Sequence, residues 1–85
     1  YLSYLDDELA LIVENGGSRL TFLLPEDHPR LTEVLGPLEH LVARERRVVV
    51  QTINDADARS SPYLAPITTI LKGVKDHKQI TLESR

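Results

Sequence analysis

The sequence has no cysteine, no methionine and no tryptophan, and its aromatics are limited to three tyrosines and one phenylalanine. Without cysteine there is no disulfide, no thiolate nucleophile and no cysteine-based zinc site; the absence fits a reducing compartment. Without methionine, Tyr1 is not a native start, so the chain is expected to begin inside a longer polypeptide. No apolar run approaches the roughly 18–20 residues of a membrane span, and no charged-then-apolar N-terminal segment resembles a signal peptide. The expected compartment is the cytoplasm, with no membrane partner. An excess of basic residues is also lacking: the net charge is −3. Strong autonomous binding to nucleic acid is disfavoured on that ground, because phosphate neutralisation by Lys and Arg supplies most of such affinity. A few local contacts remain compatible with this balance.

What is present is an ordinary globular composition, 41% hydrophobic and 27% charged, over 85 residues. That length holds one domain, here 1–85, whose fold buries only about 60–65% of its unfolded surface. Residues 1–7 show no period and read as a lead-in or linker. Leu9 to Glu14 alternates as a strand does, and Leu20, Phe22 and Leu24 alternate with Arg19, Thr21 and Leu23. Between them, Asn15-Gly16-Gly17-Ser18 supplies the positive φ angles of a tight connection, so the two runs form an antiparallel hairpin.

Asp27 or His28 can cap the next element, with Pro29 near its first position. Leu31, Val34, Leu35, Leu38, Leu41 and Val42 recur at helical spacing across Gly36-Pro37. A proline inside a helix lacks its N–H and crowds the preceding turn. Either a short helix ends at Gly36 and a second begins, or one helix kinks; the unbroken phase of the stripe favours the kink. Val48 to Ile53 reads as a central strand covered on both faces. Ser60 or Ser61 caps a second helix through Tyr63, Leu64, Ile67, Ile70 and Leu71, ended by Gly73. Gln79 to Glu83 forms the last strand. The expected fold is α+β, order ββαβαβ, with two helices on one face of a small mixed sheet.

Chemistry is sparse. Asp55 and Asp57 could share a divalent cation in a loop, but the other oxygen ligands and the glycine of a calcium loop are missing, and a polar turn accounts for them. His28, His40 and His77 lack partners at metal-ligand spacing. His28 reads as a helix-start residue, His40 as bordering the core, and His77 as solvated. Ser60 and Ser61 have capping roles and no catalytic motif around them. Gly16-Gly17 is a hairpin tip, and no nucleotide-binding glycine motif occurs. Two basic groups remain, Arg44, Arg46 and Arg47 after the first helix and Lys72, Lys75 and Lys78 after the second. Cations are favourable at helix C-termini in any protein; contact with phosphate is the functional alternative.

Val48-Val49-Val50-Gln51-Thr52-Ile53-Asn54, followed by Ala58, Ser61-Pro62 and Leu64-Ala65, resembles the C-terminal end of large helicase-related (Lhr-type) proteins. These are DEAD/H-box, superfamily-2, ATP-dependent DNA helicases. Their chains close with a strand, an Ile-Asn-Gly or Ile-Asp-Gly turn, a Ser-Pro-Leu helix start and a glycine-led step into a final strand, where Gly73-Val74 and Ile80-Thr81-Leu82 stand. Asp55 occupies the usual glycine position, and Asp76-His77-Lys78 replaces a Pro-Arg-Gly turn. The resemblance spans Leu9 to Leu82, with Ile53 to Ala65 its specific part. It implies a non-catalytic accessory domain that positions DNA or packs on neighbouring helicase domains. ATP and Mg²⁺ would belong to the parent's upstream RecA-like hydrolase domains, with no cofactor and no catalytic or metal residue in this segment. Residue chemistry alone also admits a stand-alone interaction module or homodimer through an edge strand, and a small metal-dependent enzyme using Asp55 and Asp57.

Overall fold

Two aspartate-bearing turns, neither containing glycine, shape the larger of two sheets. The structure is a computed structural model describing residues 1–85. Strand β1 (Leu2–Leu5) turns through Asp6 (φ 51°) and Asp7 (φ 73°) into β2 (Glu8–Glu14). Two successive left-handed residues form a tight turn whose twist matches the flanking strands. Asp tolerates that conformation better than most residues because its side chain bonds locally. The stretch read as a lead-in is therefore an edge strand. Ser3 pairs with Leu11 and Tyr4 with Leu9, so Ala10 is an extra residue on β2, a bulge that lets Ala10, Leu11 and Val13 all be buried.

Strand β3 (Arg19–Phe22) pairs antiparallel with β2, Val13 opposite Leu20, as the alternation implies. The connection Asn15-Gly16-Gly17 is left-handed throughout, with φ of 53°, 66° and 96°. A Cβ on Gly17 would lie 2.2 Å from Val48 Cγ1, so only glycine lets the tip settle against Val48, far along the chain.

The helical stripe breaks at Pro37 instead of kinking. A 3₁₀ turn over Leu31–Leu35 ends, and α1 (Gly36–Glu45) starts with Pro37 in its first turn, where the missing N–H costs nothing. His28 Nδ1 accepts the N–H of Arg30 at 3.1 Å ahead of the 3₁₀ turn, but neither Asp27 nor His28 caps that turn: its N-cap is Arg30, with no side-chain cap bond, and Pro29 precedes it. His40 is exposed on α1 and does not border the core. His77 is exposed, as read.

The run from Val48 to Ile53 is two strands in two sheets. β4 (Arg47–Val50) is the edge of a three-stranded sheet, and β5 (Thr52–Ile53) joins β3 in parallel. The switch occurs at Gln51, where the Ser18 carbonyl accepts both Gln51 N–H (2.8 Å) and Thr52 N–H (3.1 Å). A second turn, Asn54 (φ 53°) and Asp55 (φ 63°), leads to β6 (Ala56–Asp57). A 3₁₀ turn at Ala58–Ser60 and a Ser61 cap on Tyr63 N–H precede α2 (Leu64–Ile70).

Helix α2 ends before Gly73. The β-branched run Thr68-Thr69-Ile70 makes its last turn a poor one to prolong, and β7 (Leu71–Lys75) begins directly after it. Gly73 lies inside β7, where a Cβ would be 3.1 Å from Thr68 Cγ2; close passage of strand and helix explains the glycine. Strand β8 (Ile80–Ser84) completes the chain. The class is α+β with two α-helices, but eight strands form two sheets, ordered β1-β2-β3-β5-β6 and β4-β8-β7. Helix α1 packs on β4 and β8 and reaches β1, so both sheets share one core of Leu, Ile and Val side chains. No helix is long and apolar enough to cross a membrane.

Candidate nucleic-acid interface

The cations singled out in the sequence are partly regrouped by the fold. Arg44 sits on the last turn of α1, its guanidinium 5.7 Å from the centre of the Tyr1 ring and 3.3 Å from Glu45. Its hydrogen-bonding and charge interaction with the Tyr1 side chain raises its pKa, keeping it charged at all relevant pH. Arg46 takes the left-handed position after α1 (φ 75°) that lets the chain reverse into β4. Arg47 opens β4, exposed and without an ion pair.

Arg44 and Arg47 line one open cleft of about 460 Å³ together with Asn15, Gly16 and Ser18 of the hairpin tip. Leu41, Val48 and Val49 are its apolar lining, and Glu45 is its single acid. The tip approaches β4 so closely that a Cβ on Gly17 would overlap Val48. Two guanidiniums beside exposed backbone suit an anionic oxygen such as a phosphate, since Arg offers paired N–H donors to such groups.

Across the small sheet, Glu83 pairs in register with Arg47 on one side and Lys72 on the other. The fold thus brings Arg47 and Lys72 to one exposed sheet face, two strand spacings or about 10 Å apart. Lys75 lies at the end of β7 beside Leu64, Ala65 and Thr68, and Lys78 stands on the β7–β8 turn. Neither reaches the arginine cleft. That turn is held by Asp76, whose carboxylate accepts the N–H groups of Lys78 (2.7 Å) and Gln79 (2.9 Å) and whose pKa is lowered by them.

The two aspartates weighed as a cation pair are engaged separately. Asp55 meets Arg19 at 2.8 Å, whereas Asp57 is bound by Arg59 and caps the Arg59 N–H. The Arg59 guanidinium holds the Asp57 carboxyl down at about 2. No cluster of three or more metal-ligating side chains occurs.

Reasoning from sequence missed three connecting side chains. Asn54 bonds Phe22 twice, accepting its N–H (2.6 Å) and donating to its carbonyl (3.2 Å). Tyr63 stacks on Phe22, with ring centres 4.4 Å apart, and donates its hydroxyl to the Leu24 carbonyl. Arg59 also donates to the His77 carbonyl, tying the 3₁₀ turn after β6 to the β7–β8 turn. Only Asn54 carried a signal, its place in the Ile-Asn turn. No protein-family model, no curated protein and no solved structure matches the chain.

Proposed function

We propose that this chain is a non-catalytic accessory domain of a cytoplasmic, ATP-dependent superfamily-2 DNA helicase of the Lhr type, and that it steadies nucleic-acid backbone in the arginine cleft. The observation that carries this reading is the convergence of Arg44 and Arg47 with the hairpin-tip backbone on one cleft. The parent assignment rests on the Ile53–Ala65 resemblance, and the turn chemistry supports it. Asp55 holds a left-handed conformation (φ 63°) that glycine, the residue usual there in the family, adopts freely. ATP and Mg²⁺ are assigned to upstream domains of the parent and to no residue of this chain.

Two guanidiniums offset by Glu45 give weak, salt-sensitive binding. A labelled single-stranded oligonucleotide should bind in fluorescence anisotropy at low salt, with log affinity falling against log salt at a slope of about −1.4 for two neutralised phosphates. Arg44→Ala with Arg47→Ala should flatten that slope and lower affinity at least several-fold. An unchanged affinity in the double variant refutes the cleft as the contact. The parent assignment has its own check: an immunoblot of source cells should show a band many times larger than 9.6 kDa, and a band at 9.6 kDa would overturn it.

A further inference from the structure

Strand β1 is the outer edge of the five-stranded sheet. Tyr1 and Val13 exchange both backbone hydrogen bonds, each 2.8 Å. In an antiparallel ladder the pairs alternate, so the N–H and C=O groups of Leu2 and Tyr4 point away from β2 into open space. Their side chains lie together on the outer sheet face, 53% and 57% exposed, beside half-buried Leu9 and Ile12 and next to exposed Leu23.

Sheet edges are ordinarily protected by lysine, proline or inward charge. Strand β7 follows that rule with Lys72 and Lys75, whereas Leu2-Ser3-Tyr4-Leu5 carries no charge and no proline. The charges lie at its two ends and have opposite sign. At one end stands Arg44, over Tyr1 and 3.3 Å from Glu45; at the other stand Asp6, which pairs with Arg30, and Asp7 and Glu8, which have no ion pair within the chain.

We propose that β1 is a docking edge for a second copy of this chain, the two β1 strands pairing antiparallel about Ser3. Leu2 of each copy then opposes Tyr4 of the other, and the four outward backbone groups of each strand find partners. Both pairs fall on the outer face, where they cover one another and the half-buried Leu9 and Ile12. The same two-fold sets each copy's Arg44 end against the other's Asp6–Glu8 end, which is the charge match that selects a second copy over an unrelated strand. The contact is isologous and closes at two, so it caps both edges instead of propagating. This inference does not rest on nucleic-acid binding.

Sedimentation equilibrium tests it at low salt, from micromolar to about millimolar chain, the weak range suited to a small interface. The mass should rise from 9.6 kDa toward twice that value. Tyr4→Lys, at an exposed site, should leave the melting temperature of the dilute chain unchanged and hold it monomeric. Asp7→Asn should weaken dimerisation several-fold at low salt and lose that effect at high salt. Amide exchange at Leu2 and Tyr4 should slow as concentration rises. A monomer across the whole range overturns the proposal. So does a dimer that survives Tyr4→Lys or forms without added protection at Leu2 and Tyr4.

Discussion

Replacing Asn54 by glycine and by alanine separates two jobs done by one residue. Its side chain closes on both backbone groups of Phe22, at 2.6 and 3.2 Å, while its backbone sits at φ 53°. Those contacts extend the parallel pairing of β3 and β5 by one residue, since Asn54 N–H already donates to the Leu20 carbonyl at 2.8 Å. Glycine keeps the backbone conformation and loses only the side-chain bonds. Two hydrogen bonds are worth about 0.5–1.5 kcal/mol each, so the glycine variant should lose about 2 kcal/mol. Alanine loses the same bonds and must also hold the left-handed conformation, adding about 1 kcal/mol. In a domain of this size each kcal/mol lowers Tm by about 4–8 °C. The expected drops are therefore about 8–16 °C for Asn54→Gly and about 12–24 °C for Asn54→Ala. Urea unfolding followed by circular dichroism gives the free energies, and amide exchange should quicken at Phe22. A loss below about 0.5 kcal/mol for the glycine variant refutes the clamp. Equal losses in the two variants refute the backbone argument.

Gly17→Ala should cost about 3 kcal/mol, because its Cβ meets Val48 Cγ1 at 2.2 Å and φ is +96°; oligonucleotide binding should fall with it as the hairpin tip leaves the cleft. Asp55→Gly relieves a left-handed aspartate (φ 63°) and loses only an exposed contact with Arg19, so a gain of up to about 1 kcal/mol is expected in urea unfolding. Burial, and next the charge of Glu26, raise the Tyr63 pKa above 10. The neutral phenol is the form the fold prefers, so its contribution is complete below pH about 10 and is lost as pH rises through the raised value; Tyr63→Phe should flatten the alkaline fall of Tm. Asp57, held at about 2 by Arg59, should show its carbon-13 carboxyl titration there. Its part in stability is present above the ordinary carboxylate range and fades as pH falls toward 2, and a midpoint near 4 would refute the Arg59 pairing.

The parts of this fold that were legible in the sequence are those set by local chemistry. The β2–β3 hairpin is written in period-two alternation around a glycine-rich tip, and α1 in a leucine stripe, although the unbroken phase of that stripe points to a kinked helix where the structure starts α1 at Gly36-Pro37. Where two local readings were both self-consistent, tertiary contact decided. Ile67, Ile70 and Leu71 satisfy helical spacing, yet Leu71 belongs to β7, because pairing with β8 satisfies more backbone than another half-turn of helix would. Val48 to Ile53 has no breaker, so nothing local marks the sheet switch at Gln51; the Ser18 carbonyl, far back in the chain, makes it. The edge strand β1 was hidden because its turn uses Asp6 and Asp7 where glycine would have announced it. The same division governs the candidate site. Arg44 and Arg47 stood out as cations after a helix, but their meeting with Asn15–Ser18 depends on Gly17 having no side chain to hold Val48 away. Arg47 and Lys72, far apart in sequence, become neighbours of one glutamate only through the register of β4, β8 and β7. In this chain, then, residue type announces which groups could act, and long-range pairing decides which of them act together.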